Sequence, residues 1–96
     1  MMESTIYLKG KVRELAQKSK EISDTALKGC CAETYELMTE LLTEVVSLSP
    51  KLSKDFMLRL NMIIKDLLQA QERNDLLRIS DDLGYELPFF LEQSIQ

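Results

Sequence analysis

The chain contains no histidine, and this absence excludes several kinds of small helical protein. A phosphorelay transfer domain needs a histidine to carry the phosphoryl group, and a carboxylate di-iron bundle takes histidine ligands from two of its helices. A serine or cysteine nucleophile would lack the imidazole base that usually activates it. With only three glycines, the chain also has no glycine-rich phosphate-binding loop. We therefore expect no catalytic residue, no cofactor and no enzymatic activity.

Cysteine is scarce too, and its two occurrences are neighbours, Cys30 and Cys31. A disulfide between adjacent residues closes a strained ring, and two thiols supply only half of a four-ligand zinc site. The pattern favours reduced thiols at the start of a helix over a redox pair or a metal site shared between chains. We expect no metal site within one chain.

Positive charge and long apolar runs are both in short supply. Twelve Lys and Arg against sixteen Asp and Glu give a net charge of −4, which opposes binding to the phosphates of a nucleic acid. No uncharged apolar run approaches the ~18 residues of a membrane-spanning helix. The opening residues, MMESTIYLKGK, carry no apolar segment bounded by a cleavage site. We expect a cytoplasmic protein that binds no nucleic acid.

Apolar residues at helical spacing are abundant. They recur three and four positions apart in four segments, and period-two alternation is nearly absent. The segments run over about residues 5–28, 31–48, 53–72 and 75–93. A chain of 96 residues that is 45% hydrophobic suits one domain spanning residues 1–96. Four helices joined by short turns predict an all-α, antiparallel four-helix bundle.

Turn and capping residues separate these segments. Gly29 follows a basic last turn, Ser53 precedes the third segment, and Asn74 can cap the fourth. Inside the fourth segment, Gly84 and Pro88 interrupt the helical spacing. Proline in a helix interior lacks the N–H that would bond to the carbonyl four residues back. The pair predicts a helix kinked near Pro88; the alternative is a helix that ends near Gly84 and restarts at Pro88.

The first helix differs from the other three. Its apolar stripe is narrow, with Gly10 inside it and Ser19 at one apolar position, so we predict that it packs least firmly. The second helix carries no basic residue and four acidic ones, Glu33, Glu36, Glu40 and Glu44. We interpret these glutamates as a solvated face partly balanced by lysines of the first helix. An acidic dock for a basic partner and a cation site are the alternatives.

Asp81 and Asp82 are the one pair of adjacent carboxylates. A catalytic pair requires two carboxyl groups that converge in a cleft. Neighbouring residues of a helix point about 100° apart, so these two do not converge. We interpret both as surface and capping residues.

Several apolar residues fall outside the stripes. At about 100° per residue, Leu58 and Met62 lie on the back of the third helix, and Tyr85 and Phe89 lie away from the stripe of the fourth. Exposed apolar side chains that cluster mark a contact surface. The alternative is that a three-sided core or the C-terminal turn covers them.

Residues 75–93, DLLRISDDLGYELPFFLEQ, resemble the C-terminal segment of small, uncharacterised all-helical proteins of Gram-positive bacteria. In those proteins an Asp, a Leu and a Tyr-Glu-Leu recur near a proline. The matching residues are Asp81, Leu83, Tyr85, Glu86, Leu87 and Pro88, whereas Asp82 and Gly84 depart from the pattern. The overall build is similar to the small acidic helical chaperones of flagellar and type III export. These resemblances imply a helical fold and a bacterial cytosolic setting, and they bring no catalytic residue.

Together the patterns predict a non-enzymatic protein-binding module, a bacterial cytosolic chaperone or adaptor that captures an amphipathic helix of a partner protein. In this hypothesis the first helix is a loosely held cover over an apolar surface formed by Met38, Met57, Leu60 and Ile64. Methionine suits such a surface because its flexible side chain adapts to different shapes.

The predicted partner-binding residues are Leu58, Met62, Tyr85, Phe89, Met38 and Met57. One alternative function is a structural or regulatory homodimer in which the residues outside the stripes meet their symmetry mates. A second alternative is a peripheral membrane protein docked through the basic first helix. The acidic remainder of the chain opposes that docking, since anionic lipid would repel it.

Overall fold

The computed structural model describes the backbone of residues 2–95 and the side chains of residues 6–95, and this part of the chain contains helices and turns but no strand. The helices are α1 (Met2–Leu27), α2 (Cys31–Leu48), α3 (Lys54–Glu72), α4 (Leu76–Asp81) and α5 (Leu87–Gln93). A 3-10 turn, Ser49–Lys51, links α2 to α3, and a π turn, Asp82–Glu86, joins α4 directly to α5. We call α4, the π turn and α5 together the fourth helix. The prediction of an all-α helical bundle is confirmed.

The apolar stripes of all four helices meet in one continuous core. Its fully buried side chains include Leu15 of α1, Met38 of α2, Leu67 of α3 and Leu83 of the π turn. The molecule is 42 Å long and 22 by 18 Å across. That length corresponds to α1, because 26 residues at about 1.5 Å per residue span about 39 Å.

The predicted helix ends are present with one exception. Gly29 has a φ of 79° where α1 ends, a conformation that glycine adopts without steric cost. Ser53 Oγ accepts a backbone N–H of the first turn of α3 at 3.0 Å. Asp75 rather than Asn74 caps the fourth helix, because its Oδ1 accepts the N–H of Arg78 at 3.1 Å. Asn74 precedes it with a φ of 53°, in the left-handed region that asparagine tolerates.

α1 lies at the centre of the packing. It runs along α2 on one side and along the whole fourth helix on the other, whereas the backbone of α3 comes close to α4 and the π turn and has few close approaches to α5, α2 or α1. The buried small residues of α1 are Ala16, Ser19, Ser23 and Ala26. Small side chains narrow an apolar stripe, but they also let neighbouring helices come close and fill the interior densely. The prediction that α1 packs least firmly is therefore wrong.

The fourth helix contains its predicted irregularity as a π turn. The N–H of Leu87 donates to the carbonyl of Asp82, five residues back, instead of the four-residue spacing of an α-helix. Pro88 follows, and it has no N–H for the next bond of this pattern, which would reach Leu83. The chain continues into α5 without a new side-chain cap. The alternative of a helix that ends near Gly84 is wrong, while the kink itself stays a prediction.

Two serines of α1 hydrogen-bond to this irregular segment. Ser19 Oγ donates to the carbonyl of Leu83 at 2.5 Å, and Ser23 Oγ donates to the carbonyl of Ser80 at 2.7 Å. Gly84 permits the approach, since a Cβ at this position would lie 2.7 Å from Ser23 Oγ. The two serines that interrupt the apolar stripe of α1 are buried, and each hydroxyl has a backbone carbonyl as its hydrogen-bond acceptor.

Two contacts set α3 in register with the fourth helix. Phe56 stacks on Phe90 with ring centroids 4.6 Å apart, and Arg78 Nε donates to Asp66 Oδ2 at 2.7 Å. The later residue of α3 pairs with the earlier residue of the fourth helix, which is the order of antiparallel neighbours. The up-down-up-down arrangement of all four helices stays a prediction.

Candidate functional site

Four of the predicted partner-binding residues form two exposed pairs. Leu58 and Met62, one turn apart on α3, are 65% and 72% exposed. Tyr85 in the π turn and Phe89 in α5 are 76% and 62% exposed. We call these four residues the outer apolar surface. Because they are open to solvent, the alternative in which a core or the C-terminal turn covers them is wrong.

The two pairs lie within one turn of each other in height on neighbouring helices. The phenylalanine stack and the arginine–aspartate pair described above fix how far α3 is displaced along the fourth helix. Counting residues between these two contacts places Leu58 level with about residue 88 and Met62 level with about residue 83, so Phe89 and Tyr85 lie within one turn of these heights. The outer apolar surface is therefore one band across two helices.

A second apolar surface follows the seam between α2 and α3. It consists of Val46 from α2 and of Met57, Ile64 and Leu68 from α3, and we call it the seam surface. Val46, Met57 and Leu68 are 48%, 41% and 51% exposed, and Ile64 is half-buried. The backbones of α2 and α3 have few close approaches beside these side chains.

Helical spacing places both stripes on the seam. On α3, Ile64 points about 200° away from Asp66, and Asp66 faces the fourth helix. On α2, Val46 shares a stripe with Tyr35, whose hydroxyl donates to Asn74 Oδ1 at 3.0 Å just after α3 ends. The two stripes thus border the same gap.

The methionine surface predicted from the sequence is only partly present. Met38 and Leu60 are buried in the core, whereas Met57 is exposed and Ile64 lies on the seam. Met38 lies on the stripe that faces the core of this closed bundle, and its contact with a partner stays a prediction. Val46 and Leu68 are absent from the predicted set. The sequence could have indicated them, because each belongs to a second apolar stripe on its helix, on a different side from the stripe that faces the core.

A buried carboxyl group lies between α3 and the fourth helix. Asp82 is 3% exposed, and its Oδ1 lies 3.7 Å from Nε of Arg78, the same atom that donates to Asp66. Asp82 Oδ2 has no hydrogen-bond partner among the described residues. The interpretation of Asp82 as a surface residue is wrong, because position 82 faces α3 where the π turn begins. Asp81 is exposed, as the sequence predicts.

The pKa values show where the proton of this cluster resides. Burial raises the pKa of Asp82 from 3.8 to about 7, and the neighbouring Asp66 carboxylate acts in the same direction. Hydrogen bonds from Asp82 and Arg78 lower the pKa of Asp66. The two directions together favour a protonated Asp82 beside an ionised Asp66. Since Asp82 has almost no surface, the cluster ties α3 to the fourth helix and presents no acid to a substrate.

The acidic face of α2 is partly balanced by α1, as predicted. Glu44 lies 3.9 Å from Lys11 Nζ and 3.4 Å from Lys18 Nζ, and the Glu44 carboxylate raises the pKa of Lys18. The Lys18–Glu44 pair borders an open groove of about 610 Å³ between α1 and α2. Glu33, Glu36 and Glu40 are exposed. Exposed ion pairs of this kind contribute roughly 0 to 1 kcal/mol each.

Cys30 and Cys31 are exposed free thiols at the cap and first residue of α2. Among the residues that the structure describes, no group of three or more Cys, Asp or Glu side chains is arranged to hold a metal ion. No helix within residues 2–95 combines the length and the hydropathy needed to cross a bilayer.

Comparison of the chain with models of known protein families, with curated proteins and with solved structures gives no match. The resemblance of residues 75–93 to Gram-positive helical proteins therefore stays a prediction, as does the likeness to export chaperones.

Proposed function

We propose that this chain is a non-enzymatic protein-binding module of the bacterial cytosol, an adaptor or chaperone that holds an amphipathic helix of a partner protein along the seam surface. The observation that carries the proposal is the row of exposed apolar side chains where α2 and α3 stand apart. An apolar groove continuous with the core is the usual receptor for the apolar face of a helix.

The dimensions of the seam specify its occupant. From Met57 to Leu68, α3 rises about 17 Å, which equals three turns of a partner helix. Such a helix fits when it carries apolar residues at positions i, i+3 or i+4, and i+7. Met57 can adjust to different side chains, and Asn61 on the same stripe offers an amide to a polar group.

Binding at the seam leaves α1 in place. α1 is buried against α2 and the fourth helix, and a partner between α2 and α3 need not displace it. The seam surface, whose side chains are already exposed, therefore takes the place of a surface uncovered by removal of α1. The exposed thiols Cys30 and Cys31 favour a reducing compartment such as the cytosol.

Site-specific photo-cross-linking tests this proposal. A photoreactive amino acid in place of Leu68, on the seam, is compared in native lysate with one in place of Leu77, which is 73% exposed on α4. We expect a cross-linked partner from position 68 only, joined through a segment with helical apolar spacing. The additional change Val46→Asp should abolish that product while the far-UV circular dichroism stays helical. Equal yields at positions 68 and 77 would contradict the proposal.

A further inference from the structure

The two halves of the outer apolar surface are flanked by charges of opposite sign. On α3, exposed lysines lie one turn before Leu58 and one turn after Met62, at Lys54 and Lys65. Neither lysine has a carboxylate within 4.0 Å among the described residues, so both ammonium groups are available to another molecule.

The fourth helix repeats this pattern with acidic residues. Asp81 lies one turn before Tyr85, and Glu92 lies one turn after Phe89. The spacing of charge, apolar, apolar, charge is therefore four, four and three residues on both helices. Asp81 has no ion-pair partner among the described residues, and Glu92 lies 3.8 Å from Lys20 of α1.

We propose that the outer apolar surface is the interface of a homodimer in which α3 of one copy lies antiparallel against the fourth helix of the other. A two-fold axis parallel to the helices produces this arrangement and leaves every residue at its own height. Leu58 then lies within one turn of Phe89 of the second copy, and Met62 lies within one turn of Tyr85 of the second copy.

Two different two-fold axes could pair the outer apolar surface with its copy, and the charges favour the axis parallel to the helices. An axis perpendicular to the helices would place α3 against α3 and bring the lysines of both copies together, which is unfavourable. With the parallel axis, Lys54 is level with Glu92 of the second copy, and Lys65 lies within one turn of Asp81 of the second copy, within reach of its long side chain. Each contact occurs twice, so the interface closes on itself and yields a dimer, not a filament.

The dimer interface is separate from the seam. Leu58 and Met57 are neighbours in sequence and point about 100° apart on α3, so the two surfaces occupy different sides of that helix. A dimer can therefore hold one partner helix per copy. The homodimer proposal does not depend on the proposed binding of a partner helix at the seam, so either one can fail without the other.

Charge reversal and mixing test the proposal. Light scattering at micromolar concentration should give the wild-type chain twice the 11.1 kDa mass of a monomer. Lys65→Glu and Asp81→Lys should each raise the dimer dissociation constant roughly tenfold, because each places like charges together twice. An equimolar mixture of the two variants should recover wild-type affinity, since every facing pair in the mixed dimer is again of opposite charge.

Lys28→Glu, at an exposed position after α1, changes the net charge equally and should leave the mass of the dimer unchanged. A wild-type chain that is monomeric at high micromolar concentration overturns the proposal. A dimer that tolerates both reversals, or a mixture that stays monomeric, overturns it as well. Recovery on mixing also demonstrates that both variants are folded.

Discussion

Asp82 illustrates how much depends on the surroundings of one residue. Its neighbour Asp81 is exposed and follows the sequence prediction, yet Asp82 is buried against Asp66 and Arg78. One guanidinium cannot fully compensate two carboxylates at such a contact, and an uncompensated buried charge is costly. Retaining the proton on Asp82 avoids that cost.

The stability of the fold should consequently depend on Asp82 and pH. The folded chain keeps this proton up to about pH 7, whereas the unfolded carboxyl loses it near 3.8. The folded state thus binds more protons within this window, and the free energy of unfolding falls as the pH rises through it, by up to about 1.4 kcal/mol per pH unit. Asp66, whose pKa is lowered, contributes its own change only at lower pH.

Urea unfolding across this pH range measures the effect. Asp82→Asn keeps the shape of the side chain and can donate to Asp66 at every pH, so its stability should lose most of the slope. Asp81→Asn is the matched control and should retain the wild-type slope. A slope unchanged by Asp82→Asn would refute the assignment of the proton.

At the scale of elements, the fourth helix joins α1 through its irregularity. The π turn and Pro88 leave the carbonyl of Leu83 without the N–H of residue 88, and Ser19 supplies the donor. Gly84 lets α1 approach closely enough for Ser23 to reach Ser80. The residues that weaken the helix as an isolated element strengthen its contact with α1.

Two glycine substitutions should therefore have opposite effects. Gly84→Ala adds a Cβ 2.7 Å from Ser23 Oγ and 3.3 Å from Ser23 Cβ, so we expect a loss of about 1 to 3 kcal/mol in the free energy of unfolding. Gly10→Ala adds a Cβ with nothing within 4 Å and should gain up to about 1 kcal/mol from helix propensity. Urea unfolding measures both.

A double-mutant cycle identifies the cause of the loss. Gly84→Ala combined with Ser23→Ala should cost less than the sum of the two single changes, because the colliding oxygen is absent. Additive losses would mean that the close approach of α1 is unimportant.

At the scale of the whole molecule, packing is uneven. α1 is enclosed by α2 and the fourth helix, whereas α3 is held mainly by the fourth helix and is open toward α2. The two proposed binding surfaces both use α3, which has several large apolar side chains exposed to solvent.

Hydrogen exchange should report this difference. We expect amides within residues 12–26 of α1 to be among the slowest to exchange, and those within residues 57–69 of α3 to exchange faster, because local opening follows the density of buried contacts. Exchange mass spectrometry of the free protein resolves the two segments. Faster exchange in α1 than in α3 would restore the idea of α1 as a loose cover.

The sequence by itself determined the four helical segments, most of their ends, and the position of Leu58, Met62, Tyr85 and Phe89 outside the apolar stripes. These properties follow from apolar periodicity and capping chemistry, which act within one turn or one helix. Only the tertiary structure decided which helices are neighbours, and hence that α1 is central, that Asp82 is buried and that the seam beside Leu68 is open. Those outcomes depend on the distance between helices, which the small residues of α1 and the π turn set jointly, and no single helical stripe contains that information.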